Sequence, residues 1–308
     1  MNPDDRDVAI DNHGASNSIE SKDSVSAPAT EAYDHFLALV KRRRSCRAFK
    51  PDPIPEGHTE RILEAARWTM SGANSQPWEF VVVRDKGKIQ ALYKAYQDHI
   101  IDANFWLEQR FPWELRHPGF RLEGDLQAQY RQIQARVGWS RAPVVIAVLG
   151  DGRRQLASVS LVSTPGRNQT HLTDALANVS LSIHLAAASL GIAAEWVSIH
   201  IQEPFKELLN VPPLLMLHTI IPLGYPQKEL SGSYRRKLRE IVHYESYDPA
   251  KMMTSEDILK YLYRLRESTI RTYVRSRGEQ AVPRAPDPGG PNSDAPDSGG
   301  PGPGAPRE

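Results

Sequence analysis

Five cationic side chains fall within seven residues of the chain, in the stretch Lys41-Arg42-Arg43-Arg44-Ser45-Cys46-Arg47. Guanidinium groups stay charged at any working pH and present a rigid fork of donors, so a dense group of them suits phosphate or carboxylate oxygens. On its own such a knot fits three chemistries: a nucleic-acid backbone, an acidic protein partner, or a single tightly held phosphate. Whole-chain charge bears on the choice, because all 308 residues together carry a formal net charge of only +1. General nucleic-acid binders spread basic charge over a broad surface. A nucleic-acid-binding module built on Lys41–Arg47 is therefore a remote alternative, one that predicts steeply salt-dependent affinity.

Two further stretches could carry chemistry. Ser-Gly-Ala-Asn-Ser-Gln-Pro-Trp-Glu-Phe, residues 71–80, is small and polar before it turns bulky. Small side chains let the backbone approach a ligand closely, and Ser71 and Asn74 offer donors and acceptors. The same composition also makes a plain helix–strand turn. Leu-Gly-Tyr-Pro (223–226) is followed by Ser-Tyr-Arg-Arg-Lys-Leu-Arg-Glu (233–240), which holds a second arginine pair. For either arginine cluster alone, a solvated charged face is the plainer reading.

No other constellation competes. The sequence has no HExxH, no phosphate-binding P-loop and no Cys/His spacing for zinc, so no metal site is expected. The single cysteine, Cys46, rules out an intrachain disulfide framework and fits a reducing compartment. Arginines beside it would acidify an exposed thiol, but its alternation with Ser45 and Arg47 points to packing. His184 sits among apolar residues and reads as a satisfied core histidine. Trp78 reads as core, while Trp106, Trp113 and Trp139 fit either core or substrate contact. The N-terminus is acidic and polar, and no run approaches the roughly 18 apolar residues of a membrane helix. The expectation is a cytoplasmic protein.

These residues need elements to position them. Residues 1–29 and 279–308 have compositions too poor in large apolar groups to offset ordering entropy, so both read as disordered tails around a structured domain at 30–278. Apolar spacing at Tyr33, Phe36, Leu37 and Val40 predicts a first helix with Thr30 as its N-cap, delivering the basic knot at its end. Pro55 is expected to open a second helix carrying Ile62, Leu63 and Ala66. Residues 78–85 and 143–150 read as strands, with a helix through Ile89, Leu92, Tyr93 and Tyr96 after the first. The interval 99–140 is aromatic, charged and mostly helical by pattern. A long helix spans 171–190 and stops at Gly191. Short strands are expected at 193–199 and 216–223. A last helix opens at Thr254, with Asp257 completing a capping box, and carries Ile258, Leu259, Leu262, Leu265 and Ile270. Helices alternating with a few strands make an α+β or α/β domain.

Taken in order, RRSCRAF, SGANSQPWEFVVVRD, ASLGIAAEWVS and PLGYP with a downstream arginine pair resemble the FMN-dependent nitroreductase family, over roughly residues 36–243. That resemblance implies an α+β, three-layer fold, with a central, mainly antiparallel sheet flanked by helices. It also implies a homodimer whose two FMN sites are each built from both chains. It assigns Arg43, Arg44 and Ser45 to the FMN phosphate and ribityl chain, and Arg47 to the N1/O2 edge of the ring. Ser71, Gly72 and Asn74 match the segment lent by the partner subunit. Trp196, Val197 and Ser198 match the segment beside the ring near N5, with Ser198 the candidate catalytic residue. Arg236, with Arg235, matches the basic residue that closes over the phosphate. Residues 99–140 fall where the family builds a lid or substrate channel.

The function implied is NAD(P)H-dependent reduction of nitroaromatics, quinones or related electron-poor aromatics by a ping-pong mechanism, with NADPH or NADH as donor. Within the family, a reductive dehalogenase-like or a flavin-fragmenting activity is the alternative, and a flavin-holding protein without turnover is a further one. Two departures stand out: Met70 precedes Ser71 where the family often has proline, and Trp196-Val197-Ser198 replaces the Glu-Gly of one branch.

Overall fold

The computed structural model describes residues 29–116, 121, 137–157, 167–230 and 234–277. The two expected tails, 1–29 and 279–308, lie outside these residues except for Ala29, which is already helical, as do parts of the 99–140 and 233–240 stretches. The chain divides into two compact units, one built from residues up to Ala91 together with Gly138–Leu230, the other from Leu92–Val137 together with Ser231 onward.

The first unit is organised by one sheet. Strands β1 (Trp78–Val83), β2 (Val144–Gly150) and β5 (Met216–Gly224) lie side by side, and the short strands β3 (Ala193–Ala194) and β4 (Val197–Ser198) both pair with β5. Every pairing of these strands is antiparallel. The unbroken apolar run of β2 is buried along its whole length, as a strand covered on both faces must be.

Helix α5 (Arg167–Ser189) supplies the main cover. Its buried positions Leu172, Ala175, Leu176, Val179, Ile183 and Ala187 recur every three or four residues and so share one face. They pack on Ile62 and Ala66 of α2 (His58–Arg67) and on Ile146, Val148 and Ile221 of the sheet. Each such aliphatic side chain contributes about 1.5–3 kcal/mol by leaving water. Gly191, at φ 72°, ends α5: Ile192 N–H donates to Ala187 O at 2.9 Å and Gly191 N–H to Ala188 O at 3.2 Å.

Two boundaries differ from expectation. Thr30 lies inside helix α1 (Ala29–Arg42) and does not cap it. Pro55 lies before α2: the helix opens at His58, because Gly57 at φ 76° turns the chain first, and Pro55 O accepts the His58 N–H at 3.2 Å. The apolar stripe of α1 is also largely exposed, with Tyr33 at 59% and Phe36 at 55%, so its helical period does not mark a core face within one chain.

Helix α3 (Lys86–Tyr96) runs from the first unit into the second, where it continues through a π turn (Gln97–Ile101) into α4 (Asp102–Gln109). The first unit also holds the short helix α6 (Glu203–Leu209). Within the second unit Arg266 of α7 (Ser255–Arg277) donates to Leu115 O at 2.7 Å, pairs with Glu108 and lies 4.5 Å over the Phe111 ring. The capping box at its start is formed, with Thr254 Oγ1 accepting from Asp257 N and Asp257 Oδ2 accepting from Thr254 N, both at 3.1 Å. Ile270 is buried, but Ile258, Leu259, Leu262 and Leu265 are exposed. Among the described residues no helix is long and apolar enough to cross a membrane.

Candidate functional site

The arginine knot leaves the end of α1 and is stapled to the sheet at both ends. On one side Ser45 forms a parallel bridge to Ala194 of β3, and Cys46 N–H donates to Ala194 O at 3.0 Å. On the other, Phe49 bridges Pro226 and Lys50 N–H donates to Tyr225 O at 2.8 Å. Gly224 makes that second staple possible. A Cβ there would stand 2.7 Å from Pro143 Cδ and 3.1 Å from Phe49 Cδ1, so only glycine lets the loop and the strand end meet.

The extended backbone sorts the side chains of this loop. Cys46 points inward, fully buried, where burial pushes its thiol up to about 11 and its Sγ lies 3.2 Å from Ala48 O. Packing is its role, as its alternation predicts. Ser45 and Arg47 point out. Arg42 is taken up by the fold: its guanidinium donates to Ala188 O at 2.8 Å, a cation at the negative C-terminal end of α5. Arg43 and Arg44 are half-buried, and among the described residues neither is ion-paired with a carboxylate. Arg44 donates to the Arg43 carbonyl at 3.0 Å, and neither guanidinium has its charge offset by a carboxylate among the described residues.

Beside them runs the segment 193–198. Its register with β5 is continuous from Ala193–Gly224 to Ser198–Thr219, yet the ladder breaks into β3 and β4. The cause is Pro222, opposite Glu195: its carbonyl accepts the Glu195 N–H at 3.2 Å, but it has no N–H to return. Thr219 Oγ1 then fastens Val197 by donating to its carbonyl at 2.8 Å. Val197 is buried, while Trp196 and Ser198 are exposed.

Trp196 is held by two histidines. His184 of α5 stacks on it with ring centroids 6.3 Å apart, and His218 of β5 meets it edge-on at 5.3 Å. Burial, helped by the Arg43 charge, pushes His184 down to about 4; burial also lowers His218. His184 was expected to be a satisfied core histidine. It is buried and stacked on an indole ring, but neither ring nitrogen has a hydrogen-bond partner among the described residues.

The second predicted segment is a strained turn. Ala73, Asn74 and Gln76 all have left-handed φ, at 52°, 51° and 44°, and such positions cost of order 1–3 kcal/mol each for non-glycine residues. Ser71 Oγ accepts the Gln76 N–H at 3.0 Å, and Arg154 donates to Gln76 O at 3.1 Å. Thr69 Oγ1 donates to Ser182 Oγ of α5 at 2.6 Å, and a Cβ on Gly72 would lie 3.4 Å from His171. His171 and Ala188, the anchor of Arg42, are 17 residues apart on α5, about 25 Å at 1.5 Å per residue. Within one chain the two predicted segments therefore meet different stretches of the same helix.

Arg235 and Arg236 belong to the second unit. Arg235 is exposed and donates to Tyr234 O, while Arg236 is half-buried and engaged by Glu240, donating to its carbonyl at 2.9 Å. Trp139 is buried and Trp78 nearly so, whereas Trp106 and Trp113 are exposed in the second unit.

The residue that sequence reading passed over is Glu195. Its side chain is 11% exposed, Oε1 stands 3.8 Å from Arg47 Nε, and Oε2 is buried with no partner among the described residues. Burial pushes its carboxyl up to about 8, against a smaller downward pull from Arg47. One signal was available: it is the lone acidic residue in the apolar run Ala-Ala-Ser-Leu-Gly-Ile-Ala-Ala-Glu-Trp-Val.

The nitroreductase family model matches residues 40–225. NADH dehydrogenase of Thermus thermophilus is 30% identical over 219 residues, covering 65% of this chain and 91% of that protein. Iodotyrosine deiodinase 1 of Sus scrofa is 24% identical over 197 residues, 63% of this chain and 62% of that protein. Among solved structures, B. megaterium NfrA2 matches with a TM-score of 0.53 at 17% identity, covering 79% of this chain and 84% of that one, a likeness of fold.

Proposed function

This chain belongs to the nitroreductase family of flavin-dependent oxidoreductases, and on that premise we propose that it holds FMN at the arginine loop and uses NADH or NADPH to reduce electron-poor aromatic compounds. The observation that carries the reading is the pair Arg43 and Arg44, half-buried, free of carboxylates and stapled beside Trp196–Ser198. A phosphate monoester matches two adjacent guanidinium groups, each charge-assisted bond contributing about 1.5–3 kcal/mol. Ser45, exposed on the same edge, adds a hydroxyl to the phosphate or ribityl chain. The planar, largely apolar ring has a neighbour of its own kind in Trp196, with Val197 and Ser198 following along the strand. The residues fit the cofactor.

FMN bound here would supply the redox chemistry, as hydride acceptor from a nicotinamide and electron donor to an aromatic compound. The chain's own work is binding and electrostatics. Arg47, 78% exposed, offers its charge to the ring's pyrimidine edge. Ser198, exposed two residues beyond Trp196, would offer its hydroxyl as the hydrogen-bonding group for N5. Ser198→Ala should shift the flavin's reduction potential and product distribution; unchanged potentials and products would remove Ser198 from the mechanism.

Ser71, Gly72 and Asn74 are assigned to the ring bound by a second copy of the chain. Their distance along α5 from the Arg42 anchor supports this, as do the exposed apolar side chains Tyr33, Phe36, Trp68, Met70 and Leu181 of the first unit. Arg235 and Arg236 are assigned to the phosphate by resemblance alone. Nitroarenes, quinones and halophenols are the acceptor class, the last because of the similarity to iodotyrosine deiodinase.

Steady-state kinetics test the proposal. Ping-pong turnover predicts parallel double-reciprocal lines when NADH or NADPH is varied at several fixed concentrations of a nitroarene or quinone. Intersecting lines would contradict the alternation of donor and acceptor in one cleft, and no turnover with any acceptor would leave only a flavin-holding protein.

A further inference from the structure

Glu195 is costly to its own fold. A carboxylate held in a structural ion pair makes short, often bidentate bonds to its arginine at 2.7–2.9 Å. Here the nearest approach is 3.8 Å, one oxygen has no partner among the described residues, and Arg47 extends away into solvent. An ionised carboxylate in that position lacks most of the hydrogen bonds that would replace water.

We propose that Glu195 is the positioning residue for Arg47, lying neutral behind it while the arginine offers its full charge to the FMN pyrimidine edge, and drawing that charge back when it ionises. The inference rests on the reading of Arg47 as the residue at that edge. A neutral Glu195 leaves the guanidinium uncompensated and favours an anion in front of it. An ionised Glu195 competes for the same guanidinium from the buried side, so affinity for the cofactor falls as pH rises past the carboxyl's titration.

The surroundings make Glu195 the group that titrates in this window. From the arginine loop, Cys46 and Arg47 face it; the thiol, pushed up to about 11, stays neutral and the guanidinium stays charged. From β5 it meets the Pro222 carbonyl. His184 on α5 and His218 on β5 reach Trp196 next to it, and both are pushed below the usual histidine range, so they are already neutral where Glu195 changes charge. Arg43, which bears on His184, keeps its charge throughout.

The test titrates FMN into the full chain, following quenching of flavin fluorescence from about pH 6.5 to about pH 9, a range that brackets a carboxyl raised to this degree. The wild-type dissociation constant should rise several-fold across the range. Glu195→Gln, neutral at every pH, should keep the tight low-pH value throughout. Arg47→Gln should bind more weakly and lose the pH dependence as well, because Glu195 acts through the arginine; this second variant keeps the inference falsifiable should Glu195→Gln not fold. A wild-type constant flat with pH, or the same slope in all three proteins, overturns the inference while leaving the flavin reading intact. Failure of every form to bind FMN at any pH overturns both.

Discussion

The arginine loop at 43–50 and the turn at 71–76 are both short polar segments, and they are held in opposite ways. The loop is an extension of the sheet: bridges at Ser45–Ala194 and Phe49–Pro226 fix its ends, and its side chains alternate in and out like those of a strand. Its tension is electrostatic, located in a buried Glu195 behind an exposed Arg47. The turn is held by α2 and α5, and its tension is in the backbone, with three non-glycine residues in left-handed conformation. The difference teaches how each contributes to a site. A segment that must present charge is built on the most rigid element available. A segment that presents backbone groups, to a ring we assign to a second copy, stores strain that a ligand can exploit.

The largest expected effect falls on the loop. Replacing both Arg43 and Arg44 by alanine should weaken FMN binding by about a hundredfold or more, since each charge-assisted bond is worth about 1.5–3 kcal/mol. The melting temperature should change little, because neither guanidinium pairs with a carboxylate among the described residues. Equal affinity in wild type and the double variant, measured by fluorescence titration, would move the phosphate elsewhere.

Next is the staple. Gly224→Ala places a methyl group 2.7 Å from Pro143 Cδ and 3.1 Å from Phe49, which should destabilise the fold by about 1–3 kcal/mol. Denaturant unfolding should show the loss, with FMN affinity reduced beyond what stability explains. A neutral result would mean the loop does not depend on the strand end.

Glu195 gives a stability prediction with a definite sign. Burial holds its folded value at about 8, above the carboxyl's ordinary value of 4.5. The folded chain therefore holds its proton where the unfolded chain has lost it. Stability falls as pH rises from about 4.5 to about 8 and is level beyond. Glu195→Gln is free of this loss, so its advantage over wild type in thermal unfolding should be absent near pH 4.5, grow through neutrality and level off near pH 8. An advantage equal at all pH values would mean that Glu195 is not buried as a neutral acid.

The smallest effect belongs to the turn. Ala73→Gly relieves a left-handed alanine at φ 52°, worth about 1–2 kcal/mol, partly offset by the freer unfolded chain. A net gain of up to about 1 kcal/mol is expected in denaturant unfolding. A loss would mean that the alanine methyl has a packing role that outweighs the strain.

Much of this contrast was legible in the sequence. The period of α5, the apolar run of β2, the stop at Gly191 and the capping box at Thr254 and Asp257 are local signals, and local physics decides them. The order of the four motifs identified the family. What was not legible depends on neighbours far along the chain. Glu195 is unremarkable until the fold buries it behind Arg47, and Arg42 looks equal to Arg43 until it caps α5. The apolar periods of α1 and α7 correctly gave helices, but periodicity cannot say what covers a face, and Tyr33, Phe36, Leu259 and Leu262 are exposed. Pro222 within β5 and the left-handed Ala73, Asn74 and Gln76 also run against local preference, and both lie beside the residues with candidate roles.

Whether this chain holds a reducible flavin is decided by the absorbance spectrum of the purified protein with FMN, before and after anaerobic addition of NADH or NADPH. Bound flavin bands, one FMN per chain, should bleach with a nicotinamide donor and return on adding a nitroarene or quinone. A protein that leaves FMN free in solution would contradict the flavin reading, and one whose bound flavin neither donor can bleach would contradict the proposed turnover.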